Sequence, residues 1–448
     1  MKKLKNVRTA ALDGLLAVEK KQAYSNLLLT SLIEKNQLPK KDIPLLTELI
    51  YGTLQRKLTL DYYIQHFIKG NKKLEDWVHN LLRLSIYQMV FLDRIPDRAV
   101  LHESVEIAKA RGHKGIASFV NGVLRNVQRN GVPSIDEISN PIERIGIKTS
   151  TPSWLVKRLV EQYGLEEAEA ILLEQLKPAK QTARINRMKG SIDEVIARLK
   201  GEGLEVEKGK LVPEAIEVIK GNAALTDAFS KGLLTIQDES SMLVAKALDV
   251  KEDDHILDSC AAPGGKTTHI AEMLSNTGKV ISLDLHEHKV KLIEGQVNRL
   301  GLSNVETRVM DARKVADYFE GETFDKILVD APCTGFGVIR RKPEIKYTKT
   351  EKDVQALANI QLEILRAVAP LVKPGGLIVY STCTIDQEEN KTVLEAFLRE
   401  HRQFSKDTSL SERMPESLHP YVKDGELQIL PHYVGSDGFY IAALRKRV

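Results

Sequence analysis

Two short motifs in this 448-residue chain place a cysteine beside groups that could use it: Asp330-Ala-Pro-Cys333-Thr-Gly335 and Tyr380-Ser-Thr-Cys383-Thr384. A thiolate is a strong carbon nucleophile, and covalent attack splits one difficult step into two easier ones. A free cysteine is more often a small buried hydrophobe. That account serves one cysteine well and serves two at successive strand ends poorly. The third cysteine, Cys260, forms no C-x-x-C pair with either, and no metal-ligand spacing accompanies them, so neither a disulfide framework nor a metal site is expected. A reducing compartment follows, and the chain is expected to be cytoplasmic.

A second motif, Asp258-Ser-Cys260-Ala261-Ala262-Pro263-Gly264-Gly265-Lys266-Thr-Thr268, has the composition of a strand, a Gly-rich turn and a helix start. Such a turn exposes backbone N–H groups and the positive end of a helix to a ligand. Gly265-Lys266-Thr267 imitates the end of a phosphate loop, but Cys260 stands where that loop needs its first glycine, which argues against a nucleoside triphosphatase. Asp284 ends the next strand, 18 residues past Lys266, where an acid binds ribose hydroxyls. Asp311 ends the strand after that and is placed to accept from an adenine amino group. Either aspartate could instead be a helix cap.

These residues need a frame. HILDSC, KVISLD, NVETRVMD, FDKILVD and GLIVYST are apolar strands alternating with helices, which predicts a parallel, doubly wound sheet with its ligands at the strands' carboxyl ends. Upstream, TARINR, LEVEKG, AIEVIKG and LLTIQ are strands around the helical SIDEVIARLKGEG and NAALTDAF, a ferredoxin-like β-α-β-β-α-β order. Arg184, Asn186 and Arg187 there could face RNA or merely keep a strand edge soluble.

Residues 1–130 read as six or seven helices. Leu4, Val7, Ala11, Leu15 and Val18 share a face. So do Val78, Leu81, Leu82, Ile86, Met89 and Val90, and then Phe119, Val120, Val123, Leu124 and Val127. Pro96-Asp97 marks a turn. Residues 131–152, with Pro133, Pro141 and Pro152, read as a linker, followed by one helical stretch from Trp154 to about Glu174. The net charge is +4, yet residues 1–150 alone carry +9 and the remainder −5, so the front half suits an anionic macromolecule or is simply a solvated helical surface. No apolar run reaches the length of a membrane helix. Asp13 interrupts the start, which reads as an amphipathic helix rather than a signal peptide.

A reaction that needs such a cysteine is alkylation of cytosine C5, a poor nucleophile until a thiolate adds to C6. An acid must then hydrogen-bond the base at N3 and its amine, for which Asp330 is the candidate. A second cysteine can assist release. At these residues the sequence resembles the NOL1/NOP2/Sun family of RNA cytosine-5 methyltransferases, over about residues 230–448. The resemblance implies an S-adenosylmethionine-dependent enzyme with Cys383 as nucleophile and Cys333 aiding release. It implies cofactor contacts from Cys260 through Lys266 and from Asp284, Asp311 and Asp330. Arg340-Arg341-Lys342-Pro343-Glu344-Ile345 is similar to a family segment near the substrate. Asn121-Gly-Val-Leu-Arg-Asn126 is similar to a NusB-like RNA-binding bundle, and that pairing implies a 16S ribosomal RNA target, or the small-subunit precursor that holds it.

The expected architecture is α/β. A Rossmann-like methyltransferase domain (236–448) follows an all-α NusB-like bundle (1–135) and a linker helix with a small ferredoxin-like α+β region (150–235). It is expected to work as a monomer, without metal or membrane. A DNA cytosine-5 enzyme would use the Pro-Cys cysteine and would not need Cys383. A non-catalytic RNA-binding or antitermination factor would need neither cysteine.

Overall fold

A computed structural model describes residues 6–21, 25–68 and 74–448. By packing, the chain divides into two units: residues 1–177 with 339–349, and residues 178–338 with 350–448.

The first unit is helical. Among the described residues, seven α-helices lie between Val7 and Asn130. Val7, Ala11, Leu15 and Val18 are buried on one face of Val7–Lys21, while Leu4 lies outside the described residues. Val78, Leu81, Leu82 and Ile86, and then Val120, Val123, Leu124 and Val127, fill the same core. Buried Arg83 crosses it, paired with Asp61 at 2.6 Å and Glu19 at 2.7 Å. Three further helices follow, Pro141–Thr149, Ser153–Tyr163 and Leu165–Glu174.

Two sequence expectations fail here. The 131–152 stretch is not merely a linker: Asn140 caps a helix that Pro141 opens, since proline suits a first turn that needs no N–H donor. The single stretch after Trp154 is two helices, broken at Gly164 with φ 85°. The segment 339–349 packs in this unit, although its neighbours on both sides pack in the other. Lys346 Nζ donates to Gln55 O (2.9 Å) and Thr149 O (3.1 Å), and burial pushes its ammonium down to about 7.

The second unit holds two sheets. The smaller contains β1 (Gln181–Ile185), β2 (Glu205–Lys208), β3 (Ala215–Lys220) and β4 (Leu234–Ile236), ordered β2-β3-β1-β4 and antiparallel throughout. This is the expected ferredoxin-like arrangement. Arg184 and Asn186 do not face RNA, however, and do not decorate an edge. Both are buried, because β1 is an inner strand covered on both faces and Asn186 follows directly on its end. Arg187 is exposed.

The larger sheet has five parallel strands in the order β9 (Val372–Thr382), β8 (Phe324–Asp330), β5 (His255–Asp258), β6 (Lys279–Asp284), β7 (Val305–Val309). Helices between consecutive strands provide the crossovers. The sheet is not wholly parallel as expected. The strands β10 (Phe404–Lys406), β11 (Val422–Lys423), β12 (Glu426–Ile429) and β13 (Phe439–Lys446) extend it antiparallel beyond β9. The first three of these strands are two to four residues long, too short to carry a readable period. Among the described residues no helix is long and apolar enough to cross a membrane.

Candidate active site

Parallel strands end on the same edge, so the carboxyl ends of β7, β6, β5, β8 and β9 present Asp311, Asp284, Asp258, Asp330 and Cys383 in a row. The loop 259–264 leaves β5 and enters the helix Gly265–Met273. Gly264 has φ 101°, and a Cβ there would stand 3.2 Å from the Ile293 backbone, so this turn requires glycine. Ala261 N donates to Leu283 O (2.8 Å) and Gly264 N to Ala261 O (2.7 Å). Pro263 follows a cis peptide bond.

Lys266 leans back from this loop to Asp330, Nζ to Oδ2 at 2.8 Å, with its ammonium over the Phe439 ring. Burial works against its charge, but Asp330 outweighs burial and holds the ammonium above its usual range. The lysine is thus engaged by an acid, as the rejected phosphate-loop reading would not require. Cys260 is partly buried in the loop, and burial pushes its thiol well up. An inert Cys260 suits a wall rather than a nucleophile.

The acids differ in what they can still accept. Asp284 Oδ1 takes His286 N at 3.1 Å, and its residue is 9% exposed. Asp311 does cap a short 3-10 helix, accepting from Arg313 N at 3.0 Å, and the Arg313 guanidinium holds its carboxyl low. Its cap is therefore real, whatever else it binds. Asp258, absent from the sequence-derived site, is fully buried. Thr267 donates to Oδ2 at 2.6 Å, Oδ1 has no hydrogen-bond partner, and burial pushes the carboxyl up to about 7.

On the thiol side β8 and β9 are adjacent, with Asp330 opposite Ser381. Ser381 Oγ donates to Asp330 Oδ1 at 2.8 Å, which fixes the carboxylate between Ser381 and Lys266. Cys333 Sγ and Cys383 Sγ are 3.4 Å apart. The hydrogen bond with Cys383, followed by burial, holds the Cys333 thiol well above its ordinary range, so Cys333 is a neutral partner to the other sulfur. Around the pair lie buried Thr334 and Thr384, both within the cysteine motifs, and three residues that sequence reasoning missed: Gln361, Glu389 and Asn390. Their signal in sequence is faint, because polar residues on helices usually read as solvated. Arg184, on strand β1, was likewise read as facing outward. It reaches the helix after the Gly-rich loop, bonding Gly265 O (2.9 Å), Thr268 Oγ1 (3.1 Å) and Glu272 (2.9 Å), with Gln237 alongside. Among the described residues no His, Cys, Asp or Glu group is arranged to hold a metal.

Comparison with known proteins gives this site a context. Residues 245–445 match the 16S rRNA methyltransferase RsmB/F family model, residues 5–129 the NusB family, and residues 151–224 the ferredoxin-like domain of RsmF/B-like methyltransferases. The chain is 57% identical to the probable ribosomal RNA small subunit methyltransferase B of Bacillus subtilis (strain 168), over 99% of each chain. It is 34% identical to the ribosomal RNA small subunit methyltransferase B of Salmonella typhi, over 100% of each. Among solved structures, PH0851 superposes with a TM-score of 0.83 at 28% identity, covering 99% of this chain and 98% of that one. NSun6 from Pyrococcus horikoshii, solved with SFG, gives 0.59 at 27% identity, over 66% of this chain and 98% of that one. The cofactor is S-adenosylmethionine. Its ammonium, sulfonium and ribose hydroxyls each suit a carboxylate, and the unpartnered Asp258 Oδ1, Asp284 and the Gly-rich loop fit it. The chain belongs to the ribosomal RNA small subunit methyltransferase B family, with the RsmB/F methyltransferase, NusB and ferredoxin-like parts all in place.

Proposed function

We propose that this enzyme methylates C5 of a cytosine in 16S ribosomal RNA through a covalent bond between Cys383 and C6. The observation that carries the reading is the pair of sulfurs 3.4 Å apart at neighbouring strand ends, beside a carboxylate already fixed by Ser381 and Lys266. Cys383 Sγ bonds to C6 while the C5–C6 π pair shifts to C5–C4 and the C4–N3 π pair moves onto N3, which takes up a proton beside Asp330, leaving C5 a nucleophilic enamine carbon. Asp330 holds the base through N3 and the exocyclic amine. Cys260 to Lys266, Asp284, Asp311 and Asp330 form the cofactor side. S-adenosylmethionine, when bound, supplies an electrophilic methyl group. A base then takes the C5 proton, the C5–C6 double bond re-forms, and Cys383 leaves as thiolate with help from Cys333. The target base must be unstacked, because a stacked base hides C6. The helical front supplies RNA affinity through its excess positive charge.

Two variants test this. Cys383→Ser should lose turnover on the order of 10³-fold or more, roughly 4 kcal/mol of barrier, and form no covalent complex. Cys333→Ser should still attack but release slowly, leaving a denaturation-resistant protein–RNA adduct that needs S-adenosylmethionine to accumulate. Adducts in Cys383→Ser and none in Cys333→Ser would make Cys333 the nucleophile and overturn the reading. Bisulfite sequencing of 16S RNA from cells lacking the protein identifies the base.

A further inference from the structure

Neither cysteine is held by its own strand alone. The chain passes Cys383 and, five residues later, makes a π-helical turn, Glu388–Thr392. Such turns insert an extra residue and are frequent at functional sites. Two successive residues of this turn point to different cysteine loops. Glu389 is fully buried and accepts from Thr334 N at 2.8 Å and from the Thr334 hydroxyl, directly after Cys333. Gln361 braces the other side, donating to Pro332 O at 2.9 Å and to Glu389 Oε1 at 3.1 Å. Asn390, also fully buried, accepts from Thr382 Oγ1 at 2.6 Å and donates to Thr384 O at 3.1 Å, the residues either side of Cys383. The two loops are cross-linked where Thr334 Oγ1 meets Thr384 Oγ1 at 3.0 Å.

We infer that Glu389 and Asn390 are positioning residues that set the spacing between the two thiols, Glu389 holding Cys333 and Asn390 holding Cys383. The division follows from adjacency. One peptide bond joins the residues, so the two loops are referenced to one rigid point, and Tyr380 anchors that point by donating to Glu389 O at 2.5 Å. Burial pushes the Glu389 carboxyl up to about 7, so a buried acid is retained here despite its cost, engaged by three donors. A purely apolar plug would fill the space and fix neither loop.

The inference rests on the Cys383 mechanism proposed above and predicts a split between steps. With a 16S RNA transcript and S-adenosylmethionine, Glu389→Gln should lower kcat about 10- to 100-fold, as small misplacements do, with KM for RNA unchanged. Its covalent adduct should rise as a share of total enzyme, because release is the step impaired. Asn390→Ala should lower kcat and the adduct together, because attack is impaired. A second readout needs no turnover. Diamide oxidises the two thiols to a disulfide, taking both hydrogens as it is reduced to the hydrazine. That rate should fall several-fold in both variants. Thr334→Val, which removes only a hydroxyl, should reproduce a weaker Glu389→Gln phenotype if that variant folds poorly. Equal losses of kcat with no change in adduct share, or unaltered diamide rates in folded variants, would overturn the inference. Cys383→Ser in the same gels separates the two claims: an adduct there sinks the mechanism itself, whereas its absence alongside parent-like adduct shares in both variants sinks only the positioning roles.

Discussion

The two ends of the parallel row are built by different means. On the cofactor side many of the bonds are local: Asp284 accepts from His286 N, Asp311 caps a 3-10 helix by accepting from Arg313 N, and Gly264 N closes onto Ala261 O, while Lys266 reaches Asp330 across 64 residues. On the thiol side the bonds that tie the two cysteine loops together join distant segments, Cys333 to Cys383 across 50 residues and Thr334 to Glu389 across 55, while Asn390 braces the Cys383 loop from within eight residues. A ligand that arrives and leaves can be met by loops that organise themselves. Two sulfurs that must act in sequence on one carbon pair need fixed separation, and only cross-links between strands provide it. Arg184 is the other long-range brace on the cofactor side, clamping the Gly-rich loop's helix from 88 residues before Glu272.

The largest expected effect breaks that clamp. Arg184→Ala leaves Glu272 as an uncompensated buried charge and should destabilise the fold by about 3–5 kcal/mol, read by chemical denaturation. A loss below about 1 kcal/mol would mean the loop needs no outside support.

Each side also hides one acid pushed up to about 7, Asp258 and Glu389, which sharpens the contrast. A carboxyl whose folded pKa lies above its unfolded value is stabilising in full below the unfolded value, near 4, and that contribution is lost as pH rises to about 7. Asp258→Asn should therefore be more stable than the parent at pH 8 by a few kcal/mol at most, with the gap closing towards pH 4, since one pKa unit is about 1.4 kcal/mol. Adding S-adenosylmethionine should narrow the gap at pH 8, because Asp258 has a free acceptor for it. The Glu389 contribution should not respond to cofactor. A gap that ignores both pH and cofactor in thermal melts would remove Asp258 from the site.

The smallest effect concerns the self-organised rim. Asp284→Ala should weaken cofactor binding about tenfold or somewhat more by calorimetry, without altering the melting temperature beyond the ligand contribution. Unchanged affinity would show that Asp284 serves only to turn the chain at His286.

Much of this molecule was written locally. The helical faces of the front bundle, the alternation of strands and helices, the Gly-rich turn and the acids at strand ends all follow from periods and spacings within about 20 residues, the range over which side-chain patterning is legible. Those patterns also placed Cys333 and Cys383 at strand ends. They allowed these two ends to be neighbours in a doubly wound sheet and the two cysteines to share one cleft, but left the distance between them open. Strand order brought β8 against β9 and the sulfurs to 3.4 Å, and no spacing in the chain encodes a distance between residues 50 apart. The same limit hid Arg184 and Glu389. Each is a charged residue that reads as solvent-facing until the partners gathered by the fold, Glu272 for one and Thr334 with Gln361 for the other, make its burial affordable. Burial of a charge depends on its partners, and the sequence alone determined the residue types while only tertiary structure decided which of them would meet.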